Sequence, residues 1–127
     1  MRSFHPHSSL SFKETIDLLK ASDATVYVIG ELEHQLPSAK TNQRLILQRI
    51  AEVTGGQAFF PTSVKDLDAV YEKVLAEIRA QYTIGFVSSN ERTDGAWRKL
   101  EIKAVKRDGR DLKARARRGY FAPSKKE

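Results

Sequence analysis

The residues able to do chemistry are few and scattered. His5 and His7 form a His-x-His pair which, with His34, supplies imidazole donors of the type that bind metals. No carboxylate spacing accompanies them, and residues 1–10 are rich in His, Pro and Ser, so the expectation there is a flexible arm and no metal site. Ser8, Ser9 and Ser11 lie close to His7. A hydrolase also needs an oriented base and an oxyanion hole, and the chain has no Gly-x-Ser-x-Gly elbow. Gly55-Gly56 lacks both the Gly-x-x-x-x-Gly-Lys phosphate loop and the dinucleotide fingerprint, and reads as a helix stop. Glu31 and Glu33 follow Gly30 at the C-terminal end of an expected strand, where α/β sheets bind ligands. Without partners, two loop carboxylates read as solvated. The absence of cysteine removes a thiolate ligand, a disulfide scaffold and a cysteine nucleophile. No acid, base and nucleophile converge, so neither an enzyme nor a bound cofactor is expected.

Charge is the stronger signal. Residues 1–91 carry nine basic and eleven acidic side chains, whereas residues 92–127 carry thirteen and five, so the net charge of +6 belongs to the last third. There Lys113, Arg115 and Arg117 alternate along one expected strand and Lys99 and Lys103 along its neighbour, with Trp97 at the end. Five cations on one sheet face, beside an aromatic ring, would suit an anionic polymer: nucleic acid, anionic polysaccharide or lipid. Glu101 sits among them, and the competing expectation is a face that is solvated or paired within the chain.

The elements that must position these residues follow from length and periodicity. A chain of 127 residues has room for one core. Its longest apolar run, Ala24-Thr25-Val26-Tyr27-Val28-Ile29, has strand length, so no membrane span is expected, and the first residues show no secretory signal. Ser11 with Glu14 has capping-box spacing and opens a helix with Phe12, Ile16, Leu18 and Leu19 in its stripe, which Ser22-Asp23 ends. Residues 24–29, apolar at nearly every position, predict a strand covered on both faces. Residues 31–40, containing Pro37, read as a loop, after which Thr41 or Asn42 caps a helix striped by Leu45, Ile46, Ile50 and Val53. Residues 57–60 form a second strand. Ser63 caps a third helix whose Leu67, Val70, Tyr71, Val74, Leu75 and Ile78 are expected to face inward. From Gln81 the period becomes two. Tyr82, Ile84 and Phe86, then Leu100, Ile102 and Ala104, then Leu112, Ala114 and Ala116 predict a three-stranded antiparallel meander, with a tight turn at Asp108-Gly109. The expected organisation is an arm (1–10), an α/β segment in the order helix, strand, helix, strand, helix (11–80), a β extension (81–123) and a charged tail (124–127).

Thr25-Val26-Tyr27-Val28-Ile29-Gly30, followed by Ala51-Glu52-Val53-Thr54-Gly55-Gly56-Gln57-Ala58-Phe59-Phe60, resembles the C-terminal half of a von Willebrand factor A domain. Gln81-Tyr82, Gly85-Phe86, Trp97-Arg98 and Arg117-Arg118-Gly119-Tyr120-Phe121-Ala122-Pro123 are similar to the tails of VWFA-related proteins of Acidobacteria. The resemblance implies a partial doubly wound, Rossmann-like α/β segment and placement in the cell envelope or secretion. It does not carry over the family's Mg²⁺ site, because the Asp-x-Ser-x-Ser motif is absent. It also implies that the strand around Val26, Tyr27 and Val28 lacks the neighbour it has in the parent fold. An open apolar edge of that kind pairs with a second copy or another chain, unless the meander covers it. The expected function is a non-catalytic protein interaction or scaffolding module. The alternative is a basic module that binds anionic polymers through the meander.

Overall fold

The computed structural model describes residues 10–125. His5, His7, Ser8 and Ser9 lie outside that span. Helix α1 (Phe12–Ala21) is opened as expected. The Ser11 hydroxyl accepts from the Glu14 N–H (3.2 Å), and the Glu14 carboxylate accepts from the Ser11 N–H (2.8 Å), the reciprocal bonds of a capping box. Ile16 is buried, while Phe12 and Leu18 are exposed.

Strand β1 (Val28–Ile29) is shorter than the predicted 24–29. The reason is local: the Val26 N–H, which a ladder would use, donates instead to the Thr54 hydroxyl (2.9 Å). Helix α2 (Pro37–Val53) begins four residues before the expected Thr41. Pro37 occupies its first turn, where a fixed φ and a missing N–H cost nothing, and Leu36 precedes it in extended conformation with no side-chain cap. The Pro37 segment read as loop is therefore helix.

The helix stop at Gly55-Gly56 is a complete Schellman motif. Gly55, at φ +85°, donates its N–H to the Glu52 carbonyl (3.0 Å), and Gly56 donates to that of Ala51 (3.0 Å). Strand β2 (Ala58–Phe59) returns parallel to β1, pairing Val28 with Ala58 and Ile29 with Phe59, so β1, α2 and β2 form one parallel crossover unit. Helix α3 (Val64–Arg79) is capped by Ser63, whose hydroxyl accepts from the Asp66 N–H (3.1 Å). Of its expected inward residues only Val70 is buried; Tyr71, Leu75 and Ile78 are exposed. Unlike α1 and α2, α3 has no extensive contact with another helix or strand among the described residues.

The three-stranded meander is not formed. Strand β3 (Trp97–Lys99) pairs antiparallel with β6 (Gly119–Phe121), and β4 (Ala104–Val105) pairs antiparallel with β5 (Asp111–Leu112). The two ladders are the ends of one long hairpin, closed at Asp108-Gly109 as expected, with Gly109 at φ +83°. Four residues separate the ladders on the first leg and six on the second. The two extra residues break the register, so residues 101–103 and 113–117 splay out of the ladder, while the Leu100 N–H still donates to the Arg118 carbonyl (2.9 Å). Residues 82–86 join neither ladder.

Ile16, Leu32, Ala51, Val53, Phe59, Val70 and Ala122 make the buried apolar core, α1 packing on α2 and β6, and α2 on both β1 and β2. The fold is mixed α/β, with three helices and small sheets. No helix among the described residues is long and apolar enough to cross a membrane.

Candidate functional site

Gly55 sits where the α/β unit meets the hairpin. A Cβ added there would lie 2.8 Å from the Ala116 carbonyl carbon and the Arg117 nitrogen, so the turn of α2 rests directly on the splayed second leg. Arg117 leaves that leg towards α1. Its guanidinium donates to the carbonyls of Leu19 (3.1 Å), Lys20 (3.2 Å) and Ala24 (3.2 Å), placing a cation on the negative end of the helix. Arg115 turns towards α3: it donates to the Gln57 side-chain oxygen (2.5 Å) and forms an ion pair with Glu77. Arg118 approaches Glu52 at 3.6 Å. These arginines fasten the hairpin to the α/β unit, and a cleft of about 260 Å³ remains between Glu52, Gly55, Ile102 and Arg118.

The other cations of the expected face, Lys99, Lys103 and Lys113, are exposed. Lys103 lies 3.8 Å from Glu101, while Lys99, on β3, and Lys113 are exposed with no ion partner among the described residues. Trp97 is half-buried: Lys20 lies 4.7 Å above its ring and Phe121 packs edge-on at 5.0 Å. Its indole packs within the protein. In the loop after β1, Glu31 approaches His34 at 3.2 Å and Glu33 approaches Lys40 at 3.9 Å. Among the described residues no group of three or more His, Asp or Glu side chains is placed to hold a metal.

One polar cluster was not read from the sequence. Arg98 donates to the Ser88 hydroxyl (3.2 Å) and to the carbonyls of Asn90 (2.8 Å) and Arg92 (2.6 Å), folding residues 88–92 around its guanidinium. Hydrogen bonding with Ser88, then with Arg98, lowers the Tyr120 phenol below its ordinary value. The adjacent pair Trp97-Arg98 was the available signal, but nothing in its spacing says that the arginine turns back onto carbonyls.

Two apolar features are left open. Strand β1 pairs with β2 on one side, and among the described residues no strand pairs with its other side. Val26, Tyr27 and Val28 are half-buried; the Tyr27 hydroxyl accepts from the Gln81 amide at 3.5 Å. Beyond α3, residues 82–87 belong to no helix or ladder, with Tyr82 91% and Val87 96% exposed, and Ile84 and Phe86 also exposed. Phe86 alone of these makes a ring contact, edge-on to Tyr120 at 5.7 Å. The chain exposes 10917 Å² in all. A compact chain of 14.4 kDa exposes about 6,800 Å², and the eleven residues outside the described span would add about 1,900 Å² even fully extended. Roughly 2,000 Å² of surplus surface remains on the described residues.

Comparison with protein-family models, with curated proteins and with solved structures finds no match to this chain.

Proposed function

We propose that this chain is a non-catalytic interaction or scaffolding module, in which a von Willebrand factor A-like α/β segment carries a β extension and offers an apolar surface to a protein partner. The observation that carries the reading is the surplus surface together with the uncovered apolar side chains of Tyr71, Leu75 and Ile78 on α3 and of Tyr82, Ile84, Phe86 and Val87 after it. Surface of that kind and extent marks an interaction site in a folded chain. The parallel β1, α2, β2 unit supports the A-domain-like part of the reading, and the unpaired side of β1, with Val26, Tyr27 and Val28, adds a second open edge.

The competing reading, a basic face for nucleic acid, anionic polysaccharide or lipid, draws on Lys99, Lys103, Lys113, Arg115, Arg117 and Trp97. It is weakened because Arg115 and Arg117 are engaged inside the chain and Trp97 is covered by Lys20 and Phe121. Molar mass by light scattering on a sizing column, at low and high salt, with heparin as an anionic probe, separates the two. Assembly that persists in high salt supports the interaction module, because apolar contacts hold as salt rises. A monomer that binds heparin and releases it steeply with salt supports the basic face and overturns the first reading.

A further inference from the structure

The reading above leaves the partner open, and residues 82–87 narrow it. No backbone group of this segment makes a hydrogen bond within the described chain, although Tyr82, Ile84 and Phe86 alternate with Thr83 and Gly85 as strand residues do. A sequence shaped for a ladder but without one is a strand lacking its neighbour. Unpaired N–H and C=O rows of this kind template pairing with another chain.

We infer that the neighbour is the same segment of a second copy, paired antiparallel about Ile84. This inference rests on the interaction-module reading and specifies its partner. Three features of the segment favour a copy of itself. Antiparallel pairing about Ile84 places Tyr82 opposite Phe86 of the partner copy twice over, an aromatic cross-strand pair on each side of the twofold axis. Residues 81–87 carry no charge, so the twofold brings no like charges together along the ladder. The area is also sufficient. Tyr71, Leu75 and Ile78 on α3 and Tyr82, Ile84, Phe86 and Val87 after it are all exposed, and with exposures from 44% to 96% the seven side chains offer on the order of 800 Å² per chain. A standard interface buries about 800 Å² on each partner.

On α3, Glu72 and Arg79 flank the stripe without an ion partner in the described chain. Two α3 helices crossing antiparallel beside the ladder bring Glu72 of one copy towards Arg79 of the other. The twofold repeats that opposite-charge pair.

The test uses the absence of native cysteine. Ile84→Cys places one thiol on the twofold axis, and oxidation is expected to convert the protein to a covalent dimer. Lys99→Cys, exposed on β3, is the control for random collision. Ile84→Lys is expected to weaken assembly at least tenfold while leaving the circular dichroism spectrum unchanged, since Ile84 is exposed in the chain. If the protein assembles but Ile84→Lys assembles as well, or Ile84→Cys cross-links no faster than Lys99→Cys, self-pairing through this segment is overturned while the interaction module stands. If the wild-type chain stays monomeric up to about 100 μM, self-pairing is overturned as well. Heparin binding then decides whether the module reading falls with it.

Discussion

Removing the Arg117 guanidinium should destabilise the fold, although Arg117 lies on an extended leg of a surface hairpin. Its three donors meet the Leu19, Lys20 and Ala24 carbonyls at 3.1 to 3.2 Å, longer than the best charge-assisted bonds, and the residue is half-buried. Such bonds contribute about 1.5 to 3 kcal/mol to a buried partner, and a cation at a helix C-terminus about 0.3 to 1. Water replaces part of this when the arginine goes, so Arg117→Met, which keeps the aliphatic stem, is expected to cost about 2 kcal/mol. For a chain of this size that is a fall in Tm of roughly 6 to 10 °C. Arg117→Lys, whose single ammonium cannot span three carbonyls, should recover about half. Urea unfolding followed by circular dichroism measures both. A loss below about 0.5 kcal/mol for Arg117→Met would refute the capping role and return Arg117 to the set of cations available to an external anion.

Other expectations follow from single contacts. Thr54 is 1% exposed and its hydroxyl both donates to Ala51 and accepts from the Val26 N–H, so Thr54→Val strands that half-buried N–H and should cost about 2 kcal/mol, with Thr54→Ser closer to wild type, read from denaturant midpoints. Gly56→Ala drives a methyl into the Val26 carbonyl and should cost about 3 kcal/mol by the same measurement. Bonds from Thr62 and Ser63 hold the Asp66 carboxyl below its usual value, so the stability it contributes is complete above the ordinary carboxylate range and lost as pH falls towards the folded value. Asp66→Asn should give a flatter acid limb in a pH series of urea midpoints. Tyr120 should ionise below the ordinary phenol value in an ultraviolet titration, and Arg98→Ala should move it back up.

Local chemistry was legible in the sequence where the partner group lies within a turn. The Ser11 and Glu14 box, the Ser63 cap, the Gly55-Gly56 stop and the Asp108-Gly109 turn all concern contacts three to five residues apart. The start of α2 is not legible, because Thr41 and Asn42 have the side chains of helix caps and the helix opens instead at Pro37, with no side-chain cap. Alternation along 82–86 and 112–116 predicts strands, but a strand needs a partner, and of these residues only Leu112 lies in a ladder. Pairing of β3 with β6 spans about twenty residues that periodicity does not see. The same blindness affects the cations. Arg117 reaches a carbonyl 98 residues away, and nothing in the alternation of Lys113, Arg115 and Arg117 separates an arginine facing water from one capping a helix. Periodicity likewise identified the stripe of α3 but not whether anything covers it.

The central claim is that the uncovered apolar surface of α3 and residues 82–87 is an interface, and the molar mass of the chain in solution tests it most directly. Light scattering on a sizing column should return twice 14.4 kDa, unchanged between low and high salt, and the single mass for Ile84→Lys. A wild-type mass of 14.4 kDa at every concentration and salt would contradict self-pairing, and salt-sensitive binding of that monomer to heparin would place the function on the basic hairpin instead.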